Sequence, residues 1–448
     1  MSSHVLEQSK FTEMTTKSVP GLIARLAVPT IVSMLVTSLY NMADTYYMGK
    51  VSTAATAAVG IAFPVMASVQ AFGFFFGHGS GNFISRRLGA GDVEAAQRMA
   101  ATGFYAALLA GCLIAVLGYA LLTPLCHALG ATPTILPQAE TYVGIVLLGA
   151  PFMTASLTLN NQMRFQGNAA YAMVGIVSGA LLNIALAPLL IFVAGWGIAG
   201  AAIATVFCQF LSFALLLAMS RRGGTLSVAP RHLSWRRRDF GEIVRGGSPS
   251  LSRQVLACLA TLLLNHAAAQ YGDAAIAGMS IVTRVCFFIF SFLLGFGQGF
   301  QPVCGFNYGA GLHRRVLTGF WFSVRVGVAF LTLCAVPGYI FAPAVIHLFR
   351  PDPDVVAVGS EALRWQLLVL PLNAFVTISN MMLQTIRKSG RAVLLASARQ
   401  GVFFIPLILV LPALFGLRGV EVCQSVSDLL AFLLAVPLTA GVLRELKG

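Results

Sequence analysis

Few acids of this 448-residue chain fall within its apolar runs, and Asp44 is the best placed of them. Thr37, Tyr40, Asn41 and Met48 stand seven, four and three positions before it and four after it. On a helix all five share one face, polar on an otherwise apolar segment. A lone carboxylate at membrane depth costs several kcal/mol unless it pairs, faces water or takes up a proton. The chemistry to expect is therefore exchange: the carboxylate binds a proton or another cation, but hardly both at once. On this reading Thr37, Tyr40, Asn41 and Met48 line an interior substrate cavity. The alternative is that Asp44 caps a helix end near the outer surface, since Lys50 and Ser52 follow closely. Pro29, fifteen residues earlier, either permits a bend by removing one backbone hydrogen bond or marks the first turn of a helix.

Asp428, in the run SVSDLL, is the other acid expected inside a span. It lies about ten residues, or ~15 Å at the rise of an α-helix, from the outer end of its segment. Arg284 is expected at similar depth, so the two are read as an ion pair; without that partner Asp428 becomes a second coupling acid. His78, in GHGSGN, reads as a site of tight helix contact. Gln254, Asn373, Asn380 and Gln384 line a polar cavity or hydrogen-bond helices together.

These groups need a bilayer around them. The chain is 57% hydrophobic and only 10% charged, against roughly half and about a quarter in soluble domains. Apolar runs of about 20 residues fit at twelve positions, from Leu22–Met48 through Ala54–Gly79 to Gly419–Val442, with Gly247–Tyr271 as the seventh. The 29 Lys and Arg test the count. Sorted by loop, 21 fall on one side and three (Lys50, Arg350, Arg418) on the other, with Arg253, Arg284, Arg325, Arg364 and Arg399 inside spans. The positive-inside rule then places both termini in the cytosol. The net charge of +14 follows from those loops and points to no nucleic acid. The eight Cys are scattered through apolar runs and read as small buried hydrophobes, neither a disulfide framework nor a zinc site.

The two halves repeat at an offset of 220 residues: Pro29 with Pro249, Gly77 with Gly297, Gly89 and Gly91 with Gly309 and Gly311, Pro151 with Pro371. Six helices return the chain to its starting side, so the copies lie parallel about an axis along the membrane normal. The expected organisation is a cytoplasmic segment over 1–20, an N-lobe of helices 1–6 over 21–220, a basic cytoplasmic linker over 221–246 and a C-lobe of helices 7–12 over 247–448. Such duplication suits a carrier that alternates access between two lobes. No paired carboxylates, metal-ligand spacing, nucleophile elbow or Walker motif speaks for an enzyme or an ATP-driven pump.

At the repeated GAG segments the chain resembles the multidrug and toxic compound extrusion (MATE) family. The run from Gln298 through Gln301-Pro302 and Gly305 to Asn307-Tyr308-Gly309-Ala310-Gly311 is similar to that family's eighth helix and following loop. Tyr40-Asn41 to Asp44, and Arg399-Gln400 through Ile405-Pro406, are similar to its first and eleventh helices. The first-helix pattern is most similar to the DinF-like branch. The resemblance implies an all-α integral membrane protein: twelve transmembrane helices in two parallel six-helix lobes forming a V, a monomer in the cell (inner or plasma) membrane. It implies an antiporter exporting cationic or amphipathic small molecules in exchange for H⁺ or Na⁺, with no other cofactor. It makes Pro29 the hinge of the first helix, and adds Asn183 and Thr205 as ion-coupling residues beside Asp44. These are oxygen donors of the kind Na⁺ accepts, or else interhelical hydrogen bonds. The branch often carries a second aspartate four residues after the asparagine, where this chain has Ala187. That departure weakens Na⁺ binding and favours coupling through protonation of Asp44. The competing reading is a flippase for lipid-linked oligosaccharides, which would use Arg253, Arg284, Arg364 and Arg399 to meet a pyrophosphate.

Overall fold

The computed structural model describes residues 3–221 and 226–447, and is helical almost throughout. Residues 222–225, within the expected linker, and the side chain of Asn41 lie outside the described residues. The first half runs α1 (Ser3–Thr16), α2 (Val19–Val51), α3 (Thr53–Gly89), α4 (Val93–Ala120), α5 (Leu122–Ala128), α6 (Leu136–Phe165), α7 (Ala169–Pro188) and α8 (Gly197–Ser220). The second runs α9 (Arg237–Ala269), α10 (Asp273–Gly309), α11 (His313–Ile340), α12 (Ala342–Phe349), α13 (Pro353–Val369), α14 (Leu372–Thr385), α15 (Ser389–Ser397), α16 (Phe404–Phe415) and α17 (Leu417–Glu445).

Ten helices are long and apolar enough to cross a bilayer, and α13 with α14, bent by 56° at their break, make an eleventh. The twelfth expected span falls in α9, which is long enough at 33 residues but carries Ser248, Ser250, Ser252, Arg253, Gln254, Asn265 and His266. Its polarity has a structural reason: α9 packs along α3, so part of its surface meets protein rather than lipid. Leu109, Leu113, Val116, Leu333 and Leu409, each more than half exposed, cover the outside. The interior holds alanines, glycines, hydroxyls and amides. That inversion is what a lipid solvent asks for, because close backbone approach and interhelical hydrogen bonds hold such bundles together.

The 220-residue repeat appears as reciprocal contact. A methyl at Gly89 would strike the carbonyl of Phe306, and one at Gly309 would strike the carbonyl of Arg86. Residues 86 and 306, like 89 and 309, are repeat mates, so α3 and α10 cross as the two sides of a two-fold contact do. Both helices end in the same turn, with Gly91 at φ 75° and Gly311 at φ 73°. The following amides reach back alike, Asp92 N–H to Arg87 O at 2.9 Å and Leu312 N–H to Asn307 O at 2.8 Å. The copies then diverge: Asp92 caps α4 by accepting from Ala95 N–H at 3.1 Å, whereas Leu312 has no capping atom to offer.

The two halves meet at the end that carries the basic loops. Thr30 Oγ1 donates to Gly295 O at 2.7 Å, Thr385 Oγ1 to Asn82 Oδ1 at 2.9 Å, and Arg86 to Thr385 O at 2.6 Å. Glu242, its side chain 8% exposed, gathers Arg86 at 3.5 Å, Arg245 at 3.8 Å and Arg387. Helix α1 lies under the same end, where the Met14 carbonyl accepts from Asn307 Nδ2 at 3.1 Å. Outside the membrane, Arg25 and Lys17 hold the Glu13 carboxyl down at about 2. Among the described residues no side-chain hydrogen bond joins the halves at the opposite end, where Asp44 lies.

Candidate functional site

Pro29 sits inside α2, ten residues past its first residue, and is not the first-turn proline; Pro20 occupies that place. The helix runs on through Pro29. Ser33 Oγ donates to Pro29 O at 2.9 Å and Thr37 Oγ1 to Ser33 O at 2.7 Å, a ladder of hydroxyls bonded back onto the helix beyond the missing amide. Such bonds commonly accompany helix bending. Thr37 thus spends its proton on its own helix.

Asp44 lies seven residues before the end of α2, so it is inside the helix and does not cap it; the apolar span of α2 runs over Val19–Tyr40, one turn before it. Asp44 is partly buried, and its Oδ1 is enclosed without a hydrogen-bond partner among the described residues. Around it α2, α6, α7 and α8 supply polar groups in an otherwise apolar setting. Tyr40 lies beside Thr205 and within electrostatic reach of Asp44. Asn183 Nδ2 donates to Thr205 Oγ1 at 3.4 Å, and Thr205 donates onward to Ala201 O at 3.0 Å. Tyr47 ties α2 to α7 through Ile184 O at 3.1 Å. The structure therefore gathers Asp44, Tyr40, Asn183 and Thr205 into one locality. Met48 departs from the expectation of a cavity lining. It is 1% exposed and packs in an apolar cluster with Tyr142, Ala187 and Ala201, because the alanines opposite leave a recess that its flexible side chain fills.

Tyr142 of α6 was not foreseen from the sequence. Its ring is 1% exposed, its hydroxyl lies beside Thr205, and it is within electrostatic reach of both Asp44 and Tyr40. Buried polar atoms are ordinarily paired, so a carboxylate oxygen that has no partner among the described residues makes this locality the candidate site. Ala187 is fully buried in the apolar cluster that also holds Met48 and Tyr142.

The second acid is corrected in its partner. Asp428 pairs not with Arg284 but with Arg399, whose Nε and Nη2 reach its two oxygens at 2.7 and 3.3 Å. Arg284 is exposed. The reason is local geometry: Ala398–Val402 is a π-helical turn, which turns Arg399 toward α17 in a phase that 3.6-residue periodicity does not give. Asn373 Nδ2 at 2.8 Å and Gln424 Nε2 at 2.7 Å complete the shell, and the Arg399 guanidinium lies 4.9 Å over the Phe290 ring. This carboxylate is saturated. The adjoining cavity, about 110 Å³ between Phe287, Phe290, Gln366 and Gln424, is below the size of a drug-sized ligand pocket.

A third polar cluster was also missed. Arg164, counted from the sequence as a loop cation, is 1% exposed at the junction of the halves. It donates to Gln298 Oε1, to Asn161 Oδ1 at 2.7 Å and to His78 Nε2 at 3.2 Å. The polar run Asn160-Asn161-Gln162 at the end of an apolar segment was the available signal. The arginines a flippase would need do not converge: Arg399 is neutralised, Arg284 faces outward, and Arg364 lies over Tyr339.

The profile of one family matches this chain twice, over residues 29–189 and again over 249–410; its description is MatE. The chain belongs to the MatE family. The two matches begin at Pro29 and Pro249, the first pair of the internal repeat. The chain is similar to the multidrug export protein MepA of Staphylococcus haemolyticus, 28% identical over 412 residues, 92% of this chain and 91% of that one. Among solved structures it is similar to a multidrug resistance MATE family transporter of the MOP superfamily in an outward-facing conformation, with TM-score 0.91 and 25% identity over 97% and 98% of the two chains. It is equally similar, TM-score 0.91 and 25% identity over 98% of each, to a MOP superfamily transporter from Pyrococcus furiosus. For that transporter, the reverse polarity of the binding pocket suggests a different function. MatE proteins are transporters and not enzymes, and this chain has their all-α membrane fold.

Proposed function

We propose that this MatE protein exports cationic or amphipathic small molecules from the cytosol in exchange for protons, by alternating access. The observation that carries the reading is the enclosed Oδ1 of Asp44, without a partner among the described residues, in the locality of Tyr40, Tyr142 and Thr205. A proton and a cationic cargo each satisfy that oxygen, and each excludes the other. The halves joined at the basic end and unjoined near Asp44 support a chamber open away from the basic loops. If the basic end faces the cytosol, that is the cargo-releasing state, with both termini in the cytosol. Pro29 lies between the docked start of α2 and the free segment that carries Asp44, a placement suited to a hinge. The MepA relatives named as multidrug exporters support the cargo class.

The test is efflux of a cationic dye from proteoliposomes under one gradient at a time. A pH gradient alone is expected to drive it and a Na⁺ gradient alone is not; dye movement under Na⁺ alone would overturn proton coupling. Ala187→Asp, which supplies the missing oxygen donors, is expected to add Na⁺-dependent efflux to the same preparation. If that variant gains none, Ala187 is not what sets the ion.

A further inference from the structure

We infer that Arg164 is a cation lock: its buried positive charge, with that of Arg253, bars Na⁺ and hydronium from crossing between the Asp44 chamber and the basic end. The inference rests on the antiport reading, and asks how an exchanger with an acid at membrane depth avoids leaking when no cargo is bound.

Arg164 stands at the basic end of α6, the helix that carries Tyr142 to the Asp44 locality. Twenty-two residues separate them, ~33 Å along the helix. Every described hydrogen-bond partner of Arg164 is neutral. A guanidinium can only donate, so His78 Nε2 accepts, and His78 Nδ1 is left to donate to Ser250 Oγ at 3.0 Å. Ser250 also accepts from Gln384 Nε2 at 2.9 Å. The chain of bonds thus runs from α6 through α3 to α9 and α14, while Gln298 brings in α10. It closes across both halves with an imidazole acting as acceptor, not as a second cation.

Its charge is what sets the cluster apart. Buried charges are normally paired, and two partly buried arginines obey: Arg399 has Asp428 and Arg86 has Glu242. Among the described residues no carboxylate contacts Arg164, and its Nε is enclosed without a partner. Arg253, on α9, acts electrostatically on the same His78 and has no ion pair among the described residues either. Neutral amides satisfy hydrogen-bonding geometry without cancelling charge, and in a low dielectric an uncancelled charge acts strongly at close range. An arginine placed in a narrow passage to repel cations and protons is a known physical device in pores. A purely adhesive contact between halves would have no need of it, since neutral partners bridge helices at less cost.

Full-length protein in sealed liposomes, without cargo, is given an inside-negative potassium diffusion potential. Entrapped pyranine reports proton entry and radiolabelled Na⁺ reports sodium entry. Arg164→Gln is expected to raise both about tenfold or more, the effect of roughly one decade in a barrier, while Arg164→Lys stays near wild type. Gln298→Glu sets a carboxylate against the guanidinium and is expected to leak like Arg164→Gln although the arginine remains. Arg164→Gln liposomes as tight as wild type would overturn the lock, as would equal leak through Arg164→Lys, which would make the role one of packing. Should Arg164→Gln fail to fold, tight Gln298→Glu liposomes overturn it alone. Failure of wild type to couple dye efflux to a pH gradient would sink the antiport reading, and is seen separately because the leak assay contains no dye.

Discussion

Asp44→Asn is expected to lower pH-gradient-driven dye efflux to the level of protein-free vesicles, with the protein still inserted and monodisperse in detergent. The substitution keeps size and polarity but removes the group that exchanges a proton for a cation. The expectation of normal folding follows from the geometry. Asp44 Oδ1 has no hydrogen-bond partner among the described residues to lose, and an amide at membrane depth avoids the several kcal/mol that an unpaired carboxylate costs there. Transport and stability should separate in this variant. Everted vesicles that accumulate ethidium under an imposed pH gradient give the first readout and size-exclusion elution the second. Undiminished efflux would remove Asp44 from the mechanism.

The other acid should behave in the opposite way. Asp428→Ala leaves Arg399 buried without its carboxylate and strips Asn373 and Gln424 of their acceptor. Breaking one side of a buried ion pair costs about 3–5 kcal/mol, so a large fall in the midpoint of SDS unfolding is expected. Asp428→Asn combined with Arg399→Gln should recover much of it, because a neutral pair keeps the hydrogen bonds without an uncompensated charge. The milder single variant Asp428→Asn, where it folds, should keep its dependence on the pH gradient. If it folds as wild type and loses that dependence, Asp428 is a coupling acid and the ion-pair account of it fails.

The contrast between these acids shows what the sequence could and could not disclose. The fold was legible because it is written in quantities that add along the chain: apolar length, the one-sided sorting of arginines, and a repeat whose offset returns in the two family matches. Asp44 was legible because its companions share one helix, where spacing alone sets the face. What escaped depends on contact between distant segments. A π-helical turn placed Arg399, not Arg284, against Asp428. The junction of the halves swallowed Arg164, which by hydropathy belongs to a loop, and converted His78 from a packing residue into an acceptor for it. Tyr142 is one of many aromatic residues in spans, and only the fold brings it to Asp44. The span expected over Gly247–Tyr271 falls in α9, and the reason for its polarity, packing along α3, is again a contact between distant segments.

Exchange requires that cargo displaces a proton from the protein, and this is measurable without transport. Purified protein in weakly buffered detergent near neutral pH, titrated with a permanently cationic dye such as ethidium, is expected to acidify the solution in step with dye binding. Asp44→Asn should give no such release. Dye binding by the wild-type protein with no proton set free, or equal release from Asp44→Asn, would contradict the account.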